Sequence, residues 1–210
     1  KCGALEKARK IFNQLQIKHV SSWTTLIAGY TEHGLGDEAL KCFSQMQDEG
    51  VLPNTSTYIC VLKACGIVRS LEIGEDIDAE IRKQGLLQKD IMIANALLGM
   101  YVKCGTLANA TRWFHKMHSR DVFTWTLLIG AYSKSGHSKQ AWNVFWSMVH
   151  DDVKPNNVTF LSILKACTSL THVKVIHALM VNGGIDCDDF IRSALVDMYA
   201  KCGSIHDAHA

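Results

Sequence analysis

The chain has 210 residues, of which 48% are hydrophobic and 20% charged, the balance of an ordinary folded protein. Two prolines and fifteen glycines exclude a flexible linker and a low-complexity tract, while a net charge of +2 neither demands nor excludes nucleic acid, since a local lysine stripe can meet phosphates. No apolar run reaches the roughly 20 residues that span a bilayer, and no signal or transit segment is visible.

Repetition organises the rest. Lys1-Cys2-Gly3 returns as Lys103-Cys104-Gly105 and as Lys201-Cys202-Gly203, at intervals of 102 and 98 residues. Trp23 and Trp125, Pro53 and Pro155, and the Lys-Ala-Cys triplets at 63–65 and 165–167 are each 102 apart. Residues 1–19 read as the tail of one unit, so the chain is expected to be an excerpt of a longer protein. In the unit 20–54, Trp23, Leu26, Ile27 and Tyr30 follow the i, i+3, i+4, i+7 spacing of one apolar helix face. Gly34 marks the stop, and a second helix carries Ala39, Phe43 and Met46 before Gly50 and Pro53. The unit 55–90 has 36 residues and the unit 91–121 has 31. The unit 122–156 repeats the first, with Trp125, Leu128, Ile129 and Tyr132, then Gly136, then Ala141, Phe145 and Met148. The unit 157–188 has only 32 residues, most of the loss falling between Cys167 and Ile176, and 189–210 opens another unit. Every unit thus predicts a pair of helices. One such hairpin cannot bury its own apolar face, so neighbours must stack, giving an α-solenoid with a concave groove.

The eight cysteines show no Cys-x-x-Cys spacing. Cys2, Cys104 and Cys202 share one repeat slot and Cys65 and Cys167 another, which suits small buried side chains in a reducing compartment better than metal or redox chemistry. His115 with His118, and His206 with His209, read as surface pairs without a third ligand. Thr24, Asn95, Thr126 and Ser193 stand near helix starts, and Asn54, Asp121 and Asn156 stand in turns. By residue type alone these are caps and turn formers.

The runs Trp125-Thr126-Leu127-Leu128-Ile129-Gly130-Ala131-Tyr132, Val153-Lys154-Pro155-Asn156, Val61-Leu62-Lys63-Ala64-Cys65 and Ala194-Leu195-Val196-Asp197-Met198-Tyr199-Ala200-Lys201-Cys202-Gly203 resemble the plant pentatricopeptide-repeat family, in its subclass of alternating P, L and S motifs. The 35/36/31 lengths follow the P, L, S order. The resemblance implies an all-α, right-handed α-solenoid of stacked helix-turn-helix repeats. It divides the chain into a partial S repeat (1–19), P (20–54), L (55–90), S (91–121), P (122–156), a shortened L (157–188) and a partial S repeat (189–210). It also implies single-stranded RNA as partner, read one base per repeat by the fifth and last residues of a motif.

Carried over, Thr24 with Asn54 and Thr126 with Asn156 resemble adenine readers, and Asn95 with Asp121 a uracil reader. Ile59 and Leu161 occupy the fifth position of the L motifs, where an apolar side chain offers a base edge no hydrogen bond. Ser193 is the fifth residue of the last motif, its partner lying past the chain end. The expected pattern is 5′-A-n-U-A-n. The second residues Met92, Phe123 and Phe190 are expected to stack on bases, with Ser21 a poor platform. Lys103, Lys134 and Lys201, at one position late in the first helix, are expected to meet phosphates, Glu32 interrupting the row. Their recurrence at paired motif positions favours RNA contact over mere capping.

Two other classes stand beside this reading. Trp23, Leu26, Tyr30, Ala39, Phe43 and Pro53 also echo tetratricopeptide repeats, which bind proteins, but those keep a uniform 34-residue unit. Relatives of the subclass often end in a zinc deaminase that edits C to U in RNA. The His-x-Glu and Cys-x-x-Cys motifs it needs do not occur here. No catalytic residue, metal or cofactor is therefore expected in this chain, and no membrane partner. The resemblance points to a mitochondrial or chloroplast protein of RNA editing, splicing or stability, possible partners being other RNA-processing factors or an editing deaminase.

Overall fold

The computed structural model describes residues 2–88, 90–184 and 188–202. Among these residues the structure is all-α. The helices are α1 (Cys2–Asn13), α2 (Val20–Glu32), α3 (Gly36–Asp48), α4 (Thr55–Val68), α5 (Leu71–Lys83), α6 (Ile91–Lys103), α7 (Leu107–Lys116), α8 (Val122–Lys134), α9 (Ser138–His150), α10 (Asn157–Leu164), α11 (Leu170–Asn182) and α12 (Asp189–Lys201), with a 3-10 turn at Leu86–Gln88. They fall into two compact units, 1–118 and 119–210.

In the first unit, α2 buries Trp23, Leu26, Ile27 and Tyr30, and α3 buries Ala39, Cys42, Phe43 and Met46. The spacing that predicted these faces is the spacing that seals them. Helix α4 stacks against α2, α3, α5 and α6, and buries Tyr58, Val61, Leu62, Ala64 and Cys65. The approach of α3 to α4 is close. A Cβ on Gly36 would stand 2.7 Å from Val68 Cγ1 and 3.0 Å from the Ala64 carbonyl oxygen, so glycine alone fits. Further along, Ile77 and Ile81 of α5, Leu97, Leu98 and Tyr101 of α6, and Trp113 and Phe114 of α7 continue the core.

One buried charge ties three helices of this unit. Asp78 of α5 is 6% exposed and accepts from Arg82 Nε at 2.8 Å, from the second Arg82 nitrogen at 2.9 Å and from Tyr101 Oη of α6 at 2.8 Å. A buried carboxylate is tolerated only when so partnered. The Arg82 guanidinium lies 4.6 Å from the centre of the Trp113 ring of α7. Burial and the neighbouring carboxylate both raise the pKa of the Tyr101 hydroxyl.

In the second unit, α8 buries Trp125, Leu128, Ile129 and Ala131, and α9 buries Ala141, Trp142, Phe145 and Met148. Helix α10 adds Phe160, Ile163 and Leu164, and its Phe160 ring sits 6.1 Å from that of Phe145. The short unit 157–188 spares its second helix and shortens its first. Helix α11 keeps 13 residues, as α5 does, but α10 has 8 where α4 has 14. The chain then turns through 165–169, and Ser169 caps α11 by accepting from the His172 amide. His172 is thereby set against Trp142, ring centres 4.3 Å apart.

Cys42, Cys65 and Cys167 are buried, and Cys60, Cys104 and Cys202 half-buried, all as free thiols. Burial, with a lesser contribution from the neighbouring thiols of Cys104 and Cys202, pushes Cys65 and Cys167 from the usual 9.0 up to about 12. In the unfolded chain these thiols ionise near the usual value, so folding stability is complete below it and lost as pH rises towards the folded value. Denaturant midpoints measured from about pH 8 to pH 11 are expected to fall, and Cys65→Ala/Cys167→Ala to make that fall shallower. A second prediction concerns the turn after α9. Gly50 follows α3 with φ +72°, and Asp152 holds the corresponding place after α9 with φ +60°. Asp152→Gly is expected to stabilise the second unit by about 0.5–1 kcal/mol, relief of the left-handed strain being partly offset by the greater freedom of an unfolded glycine. Chemical denaturation checks it.

Candidate nucleic-acid interface

The first turn of each first helix has backbone N–H groups with no partner inside the helix. At α4 the residue Asn54 supplies one. Its Oδ1 accepts from the Thr57 amide at 2.9 Å and from Thr57 Oγ1 at 2.9 Å, while the Asn54 N–H donates to Thr57 Oγ1 at 3.2 Å. This is a reciprocal capping box with threonine in the glutamate's usual place. It recurs at α8, where Asp121 Oδ1 accepts from the Thr124 amide at 2.8 Å and hydroxyl at 2.7 Å. At α10, Asn156 Oδ1 accepts from the Thr159 amide and hydroxyl at 3.0 Å each. Asn54, Asp121 and Asn156, which residue type alone marked as turn formers, are thus helix caps.

Thr24 and Thr126 are not caps. Thr24 Oγ1 lies one turn into α2, 2.8 Å from the Val20 carbonyl oxygen and 2.7 Å from Thr57 Oγ1. Thr126 Oγ1 lies 2.6 Å from Thr159 Oγ1. The two members of the pairs Thr24 with Asn54 and Thr126 with Asn156, each thirty residues apart, therefore meet at one threonine hydroxyl. Thr24 and Thr126 are half-buried, and Asn54 and Asn156 exposed, so each cluster is open to solvent on one side. The bridging Thr57, Thr124 and Thr159 are 0% exposed. Sequence reasoning missed them, although Asx-x-x-Thr before an apolar run is a capping-box spacing.

The remaining predicted residues divide differently. Asn95 of α6 is only 5% exposed, and it belongs to the first unit while Asp121, half-buried, belongs to the second. Ile59 and Leu161 are half-buried. Ser193 is exposed on α12, as is Ser21 on α2. Met92 and Phe123 are each 56% exposed and Phe190 is 79% exposed, all at the second residue of a first helix. Val158, at the same place on α10 and 59% exposed, joins this row and was overlooked for want of an aromatic ring. Large apolar side chains left in water at one recurring position suit a binding surface.

Lys103, Lys134 and Lys201 are exposed, as is Glu32 at the matching place on α2. The Lys103 stem crosses Gly66 of α4, where a Cβ would stand 2.8 Å from its Cδ. Lys201 Nζ pairs with Asp197 at 2.6 Å, an exposed ion pair of little energetic weight. His115 and His118 are exposed, and His206 and His209 lie outside the described residues. Among the described residues no cluster of three His, Cys, Asp or Glu side chains is arranged to hold a metal ion.

The sequence matches the profile of the PPR repeat family over residues 18–66 and 120–169, and that of the PPR repeat over 93–122. A chloroplastic pentatricopeptide repeat-containing protein of Arabidopsis thaliana is 34% identical over 99% of this chain and 34% of its own length. A mitochondrial one from the same plant is 35% identical over 99% of this chain and 30% of its own. The chain therefore spans about a third of the length of these relatives, which are named for their repeats. Among solved structures, the pentatricopeptide repeat protein PPR10 in complex with an 18-nt psaJ RNA element superposes with a TM-score of 0.74 at 20% identity, over 99% of this chain and 30% of that one. The PPR domain of Arabidopsis thaliana protein-only RNase P 1 in complex with tRNA gives 0.59 at 14% identity, over 83% and 95%. At such identities the likeness is one of fold. The hairpin array and the profile matches in both units together assign the chain to the pentatricopeptide-repeat family.

Proposed function

We propose that this chain binds single-stranded RNA one base per repeat, as part of a longer organellar protein of the alternating P, L and S class. The division is the one read from the sequence: a partial S repeat at 1–19, P at 20–54, L at 55–90, S at 91–121, P at 122–156, a shortened L at 157–188 and a partial S repeat from 189. The observation that carries the reading is the convergence of Thr24 with Asn54, and of Thr126 with Asn156, on one hydroxyl each, open to solvent on the far side.

The hydrogen bonds also say which atoms remain for a base. Only an oxygen can accept from the Thr57 amide, so the Asn54 carboxamide is oriented with Oδ1 inward and its Nδ2 donors outward. Thr24 has a single hydroxyl proton, engaged with either Val20 O or Thr57 Oγ1, so it presents a lone pair. Adenine is complementary to that arrangement: its amino group meets the Thr24 oxygen and its N1 accepts from Asn54. Guanine reverses both, setting N1–H against an amide N–H and O6 against a lone pair. Asp121 is hooked by Thr124 in the same way but carries a carboxylate, which offers acceptors only and suits the N3–H of uracil.

Met92, Phe123, Val158 and Phe190 supply the faces on which bases stack, worth about 1–3 kcal/mol per base. Lys103, Lys134 and Lys201 meet the phosphates, Lys201 exchanging its pairing with Asp197 for the backbone. Ser193 serves as the fifth-position residue of the last repeat, and Ile59 and Leu161 leave the L repeats without base preference. The resulting pattern is 5′-A-n-U-A-n. Relatives named as chloroplastic and as mitochondrial support an organellar setting, with editing, splicing or stability of transcripts as the process served.

Thr126→Asn tests the register. An amide in place of the hydroxyl puts a second donor beside Asn156, which fits a pyrimidine carbonyl. Binding measured at fixed salt against RNAs varied at that one base is expected to move from adenine towards a pyrimidine by about tenfold, the size of one polar base contact. Unchanged preference in a folded variant would overturn the assignment.

A further inference from the structure

The third residue of each following repeat does more than cap a helix. We propose that Thr57 and Thr159 are specificity-setting positioning residues, each buried hydroxyl locking the proton direction of the two side chains that face the base in the repeat before it. The inference rests on the RNA reading above and names a residue outside the reading pair.

A threonine hydroxyl has one proton and two lone pairs. At Thr159 all three are engaged. The proton goes to Asn156 Oδ1 at 3.0 Å, one lone pair accepts the Asn156 N–H at 3.3 Å, and the other accepts from Thr126 Oγ1 at 2.6 Å. Thr57 makes the same contacts with Asn54 and Thr24 at 2.9, 3.2 and 2.7 Å, its hold on the Thr24 proton being shared with the Val20 carbonyl oxygen at 2.8 Å. Capping alone needs the first two bonds. The third reaches across to the first helix of the preceding repeat, 33 residues back, and serves no helix end. Its consequence is chemical: the Thr126 proton points inward, so the hydroxyl can only accept from a base. Both threonines are 0% exposed, so the hydroxyl meets no base and acts entirely through its neighbours. The same third residue, Thr124, holds Asp121 Oδ1 at 2.8 Å from its amide and 2.7 Å from its hydroxyl.

Thr159→Val keeps the shape and removes the hydroxyl. Thr126 is then able to turn its proton towards O6 of guanine, and discrimination of adenine over guanine at that base is expected to fall about tenfold. The base read by Thr24 and Asn54 serves as an internal control and should keep its preference. Thr159→Ser, which restores the hydroxyl, should restore the ratio. A purely structural role would weaken binding to all four bases alike and leave the ratio intact. If wild type prefers adenine and folded Thr159→Val retains the full ratio, the positioning role is overturned while the RNA reading stands. If wild type shows no base preference there, both fall. Should Thr159→Val fail to fold, Thr159→Ala, which removes the same hydroxyl without adding bulk, makes the same test at the same base.

Discussion

A buried threonine hydroxyl, that of Thr57 or Thr159, joins three stretches of chain: the residue before a helix, the first turn of that helix, and the first turn of the helix one hairpin earlier. At Thr57 and Thr159 the capping box and the inter-repeat bond share one oxygen. Everything proposed about base reading depends on this sharing. It draws Thr24 to Asn54 and Thr126 to Asn156, fixes which end of an amide faces out, and does so beneath the surface, where competing water is excluded and a hydrogen bond is stronger.

The scaffold that permits it is a set of hairpins none of which is sufficient alone. Helix α4 is buried along Tyr58, Val61, Leu62, Ala64 and Cys65 because helices on both sides of it need an apolar partner. The same stacking explains the cysteines, whose small side chains fit where helices approach closely and whose burial keeps them protonated. It also explains the tolerance of the short unit. Removing residues from α10 and its turn leaves Phe160, Ile163 and Leu164 in the core and α11 at full length, so its apolar face is kept.

Around the clusters the chemistry is spare. Exposed Phe123, Val158 and Phe190 stand one repeat apart in the second unit, and lysines late in the first helices supply charge without raising the net value above +2. Under the proposed function such a surface selects through a few short polar groups, with stacking and phosphate contact providing affinity that is indifferent to sequence.

The sequence by itself determined the helix faces and the stops, and it held the capping boxes in a local spacing that the reading by residue type passed over. Trp23, Leu26, Ile27 and Tyr30 define a buried stripe by spacing alone, and Asn54 with Thr57 forms a capping box, because both depend on residues within one or two helical turns. The pairing of Thr24 with Asn54 was legible only through the family resemblance, carried onto this chain by the repeat register. Tertiary structure decided the mechanism, since Thr24 finds its partner 33 residues away, on a neighbouring hairpin, where no local pattern reaches. It likewise decided that Asn95 is nearly sealed while Asn54 is exposed, that Lys103 lies over Gly66, and that Asp78 is held by Tyr101. Local spacing fixes which way a side chain leaves its own helix; what it meets there is set by the helix that stacks beside it.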